Sequence, residues 1–167
     1  MCQSLPKGKF AWLSAEEIEK FDVSKIKDDS PTGYILEVDL HYPPDLHDEH
    51  NDYPLAPEHL TVTPEMLSPY AKSFDTKLPK PSKKLIPNLL DKTKYVTHYR
   101  NLKFYVKHGL VITKTHKILS FEQEPWLKPY IEYCSEMRKV ASCDFESDLQ
   151  KLKANSVYGK LMEQLRS

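Results

Sequence analysis

The sequence predicts an α+β fold, and three observations support that prediction. Residues 32–43, TGYILEVDLHYP, are rich in the apolar side chains that are typical of a strand. Residues 144–164 have the length and the apolar spacing of a helix. Eleven of the thirteen prolines lie before Asn88, so the first half of the chain is divided into short pieces, because proline ends helices and cannot donate in a sheet.

Length and composition narrow the class of protein. The 167 residues suffice for one ordinary domain, and the apolar content of 40% with 29% charged residues excludes both a membrane protein and a disordered chain. The first residues, MCQSLPKGKF, lack the apolar segment of a secretory signal. Three cysteines without CxxC spacing argue against a disulfide framework or a zinc knuckle. We therefore expect an intracellular protein, with nucleus and cytoplasm left open.

The net charge of zero hides a strong asymmetry. Residues 1–60 contain 5 Lys/Arg and 13 Asp/Glu, whereas residues 61–120 contain 12 Lys/Arg and 3 Asp/Glu. The basic segment can face a polyanion such as nucleic acid, or it can pair with the acidic segment of the same chain. The charge pattern alone leaves both alternatives open.

The first half is predicted to contain short elements joined by loops. The spacing of Ser14 and Glu17 matches a capping box, which predicts a helix from Ala15 to Phe21. The polar, proline-rich stretch from Pro44 to Glu58 is predicted to be an ordered loop. A short helix is predicted from Thr63, and the stretch KLPKPSKKLIPN is predicted to be a basic connector.

The second half is predicted to be more regular. A helix is expected from Lys94 to His108, because Val96, Tyr99, Leu102 and Val106 recur at helical spacing and Gly109 suits a C-cap. The stretch LVITKTHKILSF alternates like a strand. Pro125 predicts the start of a further helix that Pro129 kinks, and the last helix is expected from Asp144 to Gln164.

Two clusters permit a functional and a structural interpretation. His47 and His50 lie among carboxylates, but their spacing fits no standard zinc or calcium pattern, so a solvated loop is favoured over a metal site. Aromatic residues interleave with a set of cations between residues 94 and 107. That mixture suits single-stranded DNA, and it also suits a helix with an aromatic core face and a solvated basic face. The cations are Lys94, Arg100, Lys103 and Lys107.

The last predicted helix has two distinct faces. Lys151, Asn155, Tyr158 and Met162 share one narrow arc, because each residue of a helix turns about 100°. A separate apolar stripe is expected to hold the helix against the core, and it consists of Phe145, Leu149 and Leu152. The polar arc suits a nucleotide, since an ammonium group can meet phosphate and an aromatic ring can pack against sugar or base.

The stretch KLKANSVYG, from Lys151 to Gly159, resembles the fingers motif K-x3-N-S-x-Y-G of family B DNA polymerases. The resemblance implies that Lys151 binds the incoming triphosphate and takes part in catalysis, and that Asn155 and Tyr158 line the nucleotide pocket. It also implies that Gly159 lets the template base pass. Lys139 and its neighbour Arg138, about twelve residues before Lys151, are implied as further triphosphate contacts.

The wider sequence is similar to protein-primed family B polymerases of Polinton/Maverick-type transposons and related viruses. The phrases GYILEVDLHYP, LHDEHNDYPLAPE and YVTHYRNLKFY carry this resemblance, which covers essentially the whole chain. It implies a partial right-hand polymerase domain: a proline-rich insertion in residues 1–92, a palm-like element in 93–122 and fingers helices in 123–167. The implied partners are primer-template DNA, deoxynucleoside triphosphates and a priming terminal protein.

Polymerase chemistry needs two metal ions, Mg²⁺ in the complete enzyme, held by carboxylates from two aspartate motifs. The stretch EVDLHYP superficially resembles the first motif, with Glu37 at the metal position. The transposon polymerases instead carry that motif before the stretch that MCQSLPKGKFAW resembles, and the second motif after the fingers. We therefore expect no metal ligand here and a fragment that is inactive alone. The alternative is a decayed or domesticated remnant that binds DNA or a partner without catalysis.

Overall fold

The computed structural model describes residues 2–73 and 83–163, and it is a mixed α+β structure, as predicted. Single-turn 3₁₀ helices cover Val23–Lys25, Pro44–Leu46 and Pro64–Met66. The remaining elements follow in chain order: β1 (Leu5–Trp12), α1 (Ala15–Glu19), β2 (Thr32–His41), β3 (Glu58–Thr61), α2 (Pro69–Ser73), β4 (Lys83–Ile86), β5 (Lys92–His98), α3 (Tyr99–Lys107), β6 (Val111–Glu124), α4 (Lys128–Lys139) and α5 (Asp144–Leu161).

The chain forms two compact units. Unit 1 consists of Met1–Leu13, Lys25–Tyr34 and Leu119–Ser167, and unit 2 consists of Ser14–Ser24 and Ile35–Ile118. Strands β2 and β6 therefore contribute residues to both units. The predicted segment boundaries after residues 92 and 122 concern function and stay predictions.

Unit 1 contains an antiparallel ladder and a pair of helices. Strand β1 pairs with the end of β6, so that Leu5 lies opposite Glu124. Exposed ion pairs link the two strands, with Lys7 Nζ 2.9 Å from Glu124 Oε1. The buried Phe121 ring lies so close to Gly33 that a Cβ at that position would clash with it. Helices α4 and α5 follow β6 and contact each other.

Unit 2 is built on strand β2. This strand pairs antiparallel with β5 on one side, and Ile35 lies opposite His98 in that ladder. Strand β6 is its neighbour on the other side. Alternate residues Leu36, Val38 and Leu40 are buried, as the period of a strand requires when one face covers a core. Helix α3 adds the buried side chains of Tyr99 and Leu102 to that core.

A bulge interrupts the ladder between β2 and β5. Val38 pairs with Tyr95 and Leu40 with Lys92, so Asp39 alone lies opposite two residues of β5. Lys94, one of those two, has a positive φ of 51°. Its backbone N–H donates to Asp39 Oδ1 at 2.7 Å. The carboxylate of Asp39 thus binds a donor beside the bulge, where the ladder is irregular.

Several sequence predictions are confirmed. Helix α1 begins at Ala15, and both hydrogen bonds of the capping box between Ser14 and Glu17 are present. Strand β2 occupies the apolar stretch from Thr32, and the 3₁₀ helix at Pro64–Met66 follows Thr63. Strand β6 and helix α5 also occur where they were predicted, although α5 ends at Leu161 and Gln164 lies outside the described residues.

Three predictions about element boundaries were wrong. Residues 94–98 are part of β5, because they pair with β2, and the helix begins only at Tyr99. Within the predicted connector, Lys83–Ile86 forms β4, and residues 77–82 lie outside the described part. Helix α4 begins at Lys128 rather than Pro125, which puts Pro129 in its first turn, where proline needs no backbone donor and causes no kink.

Candidate functional site

The motif from Lys151 to Gly159 lies on α5 of unit 1. The helix begins after the extended residue Cys143, and Glu146 accepts hydrogen bonds from the backbone and the hydroxyl of Ser142, each at 2.8 Å. The first bond gives the backbone N–H of Ser142 an acceptor just before the first turn. An acidic residue near a helix N-terminus also interacts favourably with the helix dipole. Both hydrogen bonds lower the pKa of Glu146, the backbone bond from Ser142 more than the hydroxyl bond.

Small or polar side chains form the side of α5 that is least exposed. The half-buried residues recur at helical spacing, so they lie on a single face. Because α5 contacts α4, we assign this face to the contact between the helices. Small side chains let two helices approach closely. Because some residues of this face are polar, the contact buries little apolar surface. The half-buried residues are Ser147, Gln150, Ala154 and Val157.

Three polar residues of the motif, those of the narrow arc, lie beside that face and point outward. Lys151, Asn155 and Tyr158 are all exposed, and 55% of Tyr158 is accessible. None of these side chains has a hydrogen bond or an ion pair with another residue of the described part. Their spacing of four and three residues keeps them within one arc. The structure therefore leaves an ammonium, an amide and a phenol free on one side of α5.

Gly159 continues this surface. It lies inside the helix, where glycine costs about 1 kcal/mol relative to alanine. A Cβ added at Gly159 would have no atom within 4 Å, so the packing of the described chain does not require glycine at this position. Gly159 therefore lies at an open position on the surface of α5.

The two cations at the end of α4 are held in different ways. Arg138 Nε donates to Ser147 Oγ on α5 at 3.3 Å. Ser147 lies one turn before Lys151, so the Arg138 side chain reaches the turn of α5 next to Lys151. Lys139 Nζ instead lies 2.7 Å from Glu136 Oε1 on its own helix. Of the two implied triphosphate contacts, the structure links Arg138 to α5 one turn before the motif and pairs Lys139 within α4.

The apolar stripe that was expected to hold α5 does not do so. Phe145 is 75% exposed and Leu152 is 64% exposed, while Leu149 is 37% exposed. The prediction was wrong because the side of α5 toward α4 consists of smaller residues, and Ala154 and Val157 were not recognised as packing positions. The spacing of small residues along α5 was the available signal.

The predicted DNA-binding cations lie in unit 2, on two elements. Arg100, Lys103 and Lys107 belong to α3, where spacings of three and four residues place them on one side. Arg100 Nε donates to Tyr99 Oη at 3.3 Å, and its guanidinium carbon lies 5.9 Å from the centre of that ring. Lys94 is exposed at the bulge of β5. The structure thus brings three of the four cations together on one helix.

Asp39 belongs to a charged group that the sequence did not predict. His116 Nε2 on β6 lies 2.8 Å from Asp39 Oδ1, and 18% and 25% of the two side chains are exposed. The ring N–H makes no well-aligned hydrogen bond, so the contact is an ion pair when the ring is protonated. The Lys94 backbone N–H, followed by His116, lowers the pKa of Asp39. This group ties β2 to both neighbouring strands, and no sequence pattern links residues so far apart.

The histidines of the Pro44–Glu58 stretch pack around Tyr42. The Tyr42 hydroxyl lies 2.7 Å from His50 Nδ1, and its ring makes edge contacts with the rings of His47 and His50. The backbone N–H of Leu55 donates to the same hydroxyl at 3.2 Å. These contacts hold the loop around Tyr42, the residue that follows β2 by one position.

A site for Mg²⁺ requires carboxylate or other oxygen ligands that lie close together. Residues 2–73 and 83–163 contain no group of three or more His, Cys, Asp or Glu side chains that could hold a metal ion. Glu37 lies in β2 opposite Val96. The described residues therefore do not fit the two-metal site of a polymerase, and no metal-dependent step is assigned to them.

The remaining general findings concern membranes and known proteins. In the described part of the chain, no helix combines the length and the apolar character that crossing a membrane requires.

Comparisons with models of protein families, with curated proteins and with solved structures found no match for this chain.

Proposed function

We propose that the chain is a segment of the catalytic domain of a template-dependent DNA polymerase, in which the exposed arc of α5 binds the incoming deoxynucleoside triphosphate. One observation carries the proposal: Lys151, Asn155 and Tyr158 lie on one outward arc of α5, and their side chains have no hydrogen-bond or ion-pair partner among the residues that the structure describes. The resemblance of the same residues to the fingers motif of family B polymerases supplies the identity of the ligand.

Each group on the arc has a distinct role in this proposal. The ammonium of Lys151 binds the triphosphate and stabilises the charge that develops on it during transfer, which is a large term in phosphoryl-transfer catalysis. The guanidinium of Arg138, held by Ser147, adds a second cation beside Lys151. The ring of Tyr158 packs against sugar or base, and the amide of Asn155 orients the nucleotide.

A binding measurement with a matched control tests this role. The affinity of the 167-residue chain for a fluorescent deoxynucleoside triphosphate is measured for the wild type, Lys151→Ala and Lys153→Ala. Lys153 is an exposed lysine on the same helix, about 160° from Lys151 around its axis. We expect the wild-type chain to bind weakly. Lys151→Ala should lower the affinity by about tenfold, as for loss of one charged hydrogen bond, and Lys153→Ala should leave the affinity unchanged. Equal losses in both variants would mean unspecific attraction and would contradict the proposal.

A second candidate function is a non-catalytic remnant that binds DNA. The cations on one side of α3 favour it, because they supply a surface that can bind DNA phosphates. The transcript distinguishes the two functions when it is sequenced across both ends of this reading frame. In-frame aspartate motifs on both sides would support the polymerase, and stop codons or unrelated sequence on both sides would support the remnant.

A further inference from the structure

The ends of the apolar stripe of α5, Phe145 and Leu152, are mostly exposed in the described chain, and Leu149 between them is 37% exposed. Phe145, Leu149 and Leu152 follow one another at spacings of four and three residues, so they form a continuous stripe about 10 Å long. The stripe lies on the opposite side of α5 from the half-buried face that we assign to the contact with α4. Water therefore covers large apolar side chains that a second helix would shield.

The charges beside the stripe indicate which helix fits. One flank carries Glu146 toward the N-terminal end and Lys153 seven residues later, and both side chains are exposed. Two antiparallel helices place equal flanks opposite each other in reversed order. A second copy of α5, turned end to end, therefore brings its Lys153 near Glu146 of the first copy, and the two-fold axis repeats this pair.

We propose that α5 pairs with α5 of a second copy of this chain, antiparallel and centred near Leu149. Phe145 of each copy then packs against Leu152 of the other, and Leu149 lies at the axis. The arc with Lys151 and Tyr158 stays outside the contact, so this pairing does not depend on the proposed function. A contact of two short helices buries less surface than a standard interface, and the dimer is therefore weak and reversible.

The same geometry assigns an opposite role to a neighbouring acid. Asp148 lies on the other flank of the stripe, next to Leu149, and is exposed. In the antiparallel pair it lies near the axis and approaches Asp148 of the second copy, and two like charges at that distance repel. Glu146 thus stabilises the dimer, whereas Asp148 on the same helix destabilises it.

Sedimentation equilibrium of the 167-residue chain tests the pairing over a range of concentrations. We expect a reversible monomer–dimer equilibrium at micromolar concentrations and a monomer for Leu152→Lys. Val140→Ser is the matched control, because Val140 is a 71% exposed apolar residue at the end of α4 and lies outside the contact. Far-UV circular dichroism verifies that each variant keeps its helices. A wild-type monomer at all concentrations, or a dimer that persists in Leu152→Lys, would overturn the proposal.

Charge variants test the orientation. Lys153→Glu is expected to weaken the dimer by about tenfold, because both symmetric pairs with Glu146 become repulsive, while Glu146 keeps its hydrogen bonds with Ser142 at the start of α5. Asp148→Asn is expected to tighten the dimer severalfold. If Lys153→Glu and Asp148→Asn change the affinity in the same direction, or if Lys153→Glu leaves the affinity unchanged, the antiparallel arrangement is wrong.

Discussion

The ammonium group of Lys92 lies 2.9 Å from Glu58 Oε1, although only 1% of the Lys92 side chain is exposed. Its other partners are the backbone and side-chain oxygens of Asn88. The amide of Asn88 in turn donates to the same Glu58 oxygen at 3.0 Å. A buried lysine is tolerated here because its donors meet acceptors, and the group ties the start of β5 to β3.

Loss of this lysine should destabilise the chain. Lys92→Ala leaves the Glu58 carboxylate without its cation, which costs about 2–4 kcal/mol when allowance is made for the partial exposure of Glu58. The measurement is the free energy of unfolding in urea at neutral pH. Lys7→Ala is the control, because it breaks an exposed pair with Glu124 and should cost less than about 1 kcal/mol. Similar losses in both variants would contradict the structural role of Lys92.

Acid should weaken the fold through Asp39 and Asp91. The backbone N–H of Lys94 and then His116 lower the pKa of Asp39, and the backbone N–H of Tyr42 and then His41 lower that of Asp91. A carboxyl whose pKa is lower in the folded state stabilises the fold above its unfolded pKa, and that stability is lost as the pH falls through the folded pKa. The free energy of unfolding should therefore decrease below a pH of about 3.8, the ordinary pKa of aspartate.

Two variants separate the causes of this acid dependence. Asp39→Asn should flatten the decrease of stability with pH, because the carboxyl no longer titrates. His116→Ala should flatten it less, since the larger cause, the Lys94 backbone donor, remains. Urea unfolding between pH 2 and pH 6 measures both slopes. A steeper slope in Asp39→Asn than in the wild type would show that this carboxyl is not stabilised in the fold.

The local elements of the fold could be predicted from the sequence, whereas its long-range pairs could not. The capping box of α1 depends on Ser14 and Glu17 alone, so the motif sufficed to predict the start of the helix. Strand β5 was missed because Val96 takes a strand conformation through its pairing with Glu37, about sixty residues away. Helical spacing at Tyr99 and Leu102 was real, but it was extended too far toward the N-terminus.

For the candidate site too, the sequence predicted the local arrangement but not the contacts between helices. The arc of Lys151, Asn155 and Tyr158 follows from helical periodicity, and the three side chains are exposed. The bond between Arg138 and Ser147 depends on how α4 and α5 pack, which no sequence pattern contains. The exposure of Phe145 was missed for the same reason, because an apolar stripe shows that a helix has a partner surface but not that the surface belongs to the same chain.

Replacement of Lys94 should separate stability from DNA binding. Lys94 has a positive φ of 51°, which costs a side-chain-bearing residue about 1 kcal/mol or more. Lys94→Gly removes that strain and should raise the free energy of unfolding by up to about 1 kcal/mol, after the greater entropy of glycine is subtracted. If the ammonium contacts DNA, the same variant binds single-stranded DNA more weakly. A loss of stability would mean that the Lys94 side chain holds the bulge.

The cations of α3 should produce a salt-dependent affinity for DNA. Each phosphate contact contributes about 0.7 to the slope of log affinity against log salt concentration for single strands. Lys107 is exposed at the end of α3, so Lys107→Ala should reduce this slope by roughly one contact. Lys20→Ala, at the end of α1, serves as the control. Equal slopes for the wild type and Lys107→Ala would remove Lys107 from the DNA surface.

Gly159→Ala should stabilise the chain and, if the proposed function is right, impair nucleotide addition. A Cβ at Gly159 meets no atom within 4 Å, so the helix gains about 1 kcal/mol from the better helix former. In a complete polymerase the same methyl group would narrow the space for a template base and lower the rate of nucleotide addition. Thermal unfolding of the chain and primer extension by the complete enzyme measure the two effects, with Lys160→Ala as the control on the next residue. The packing of α5 does not explain why a glycine occupies this position at an energetic cost. A stabilised Gly159→Ala variant with full activity would therefore contradict the role of Gly159 beside the template base.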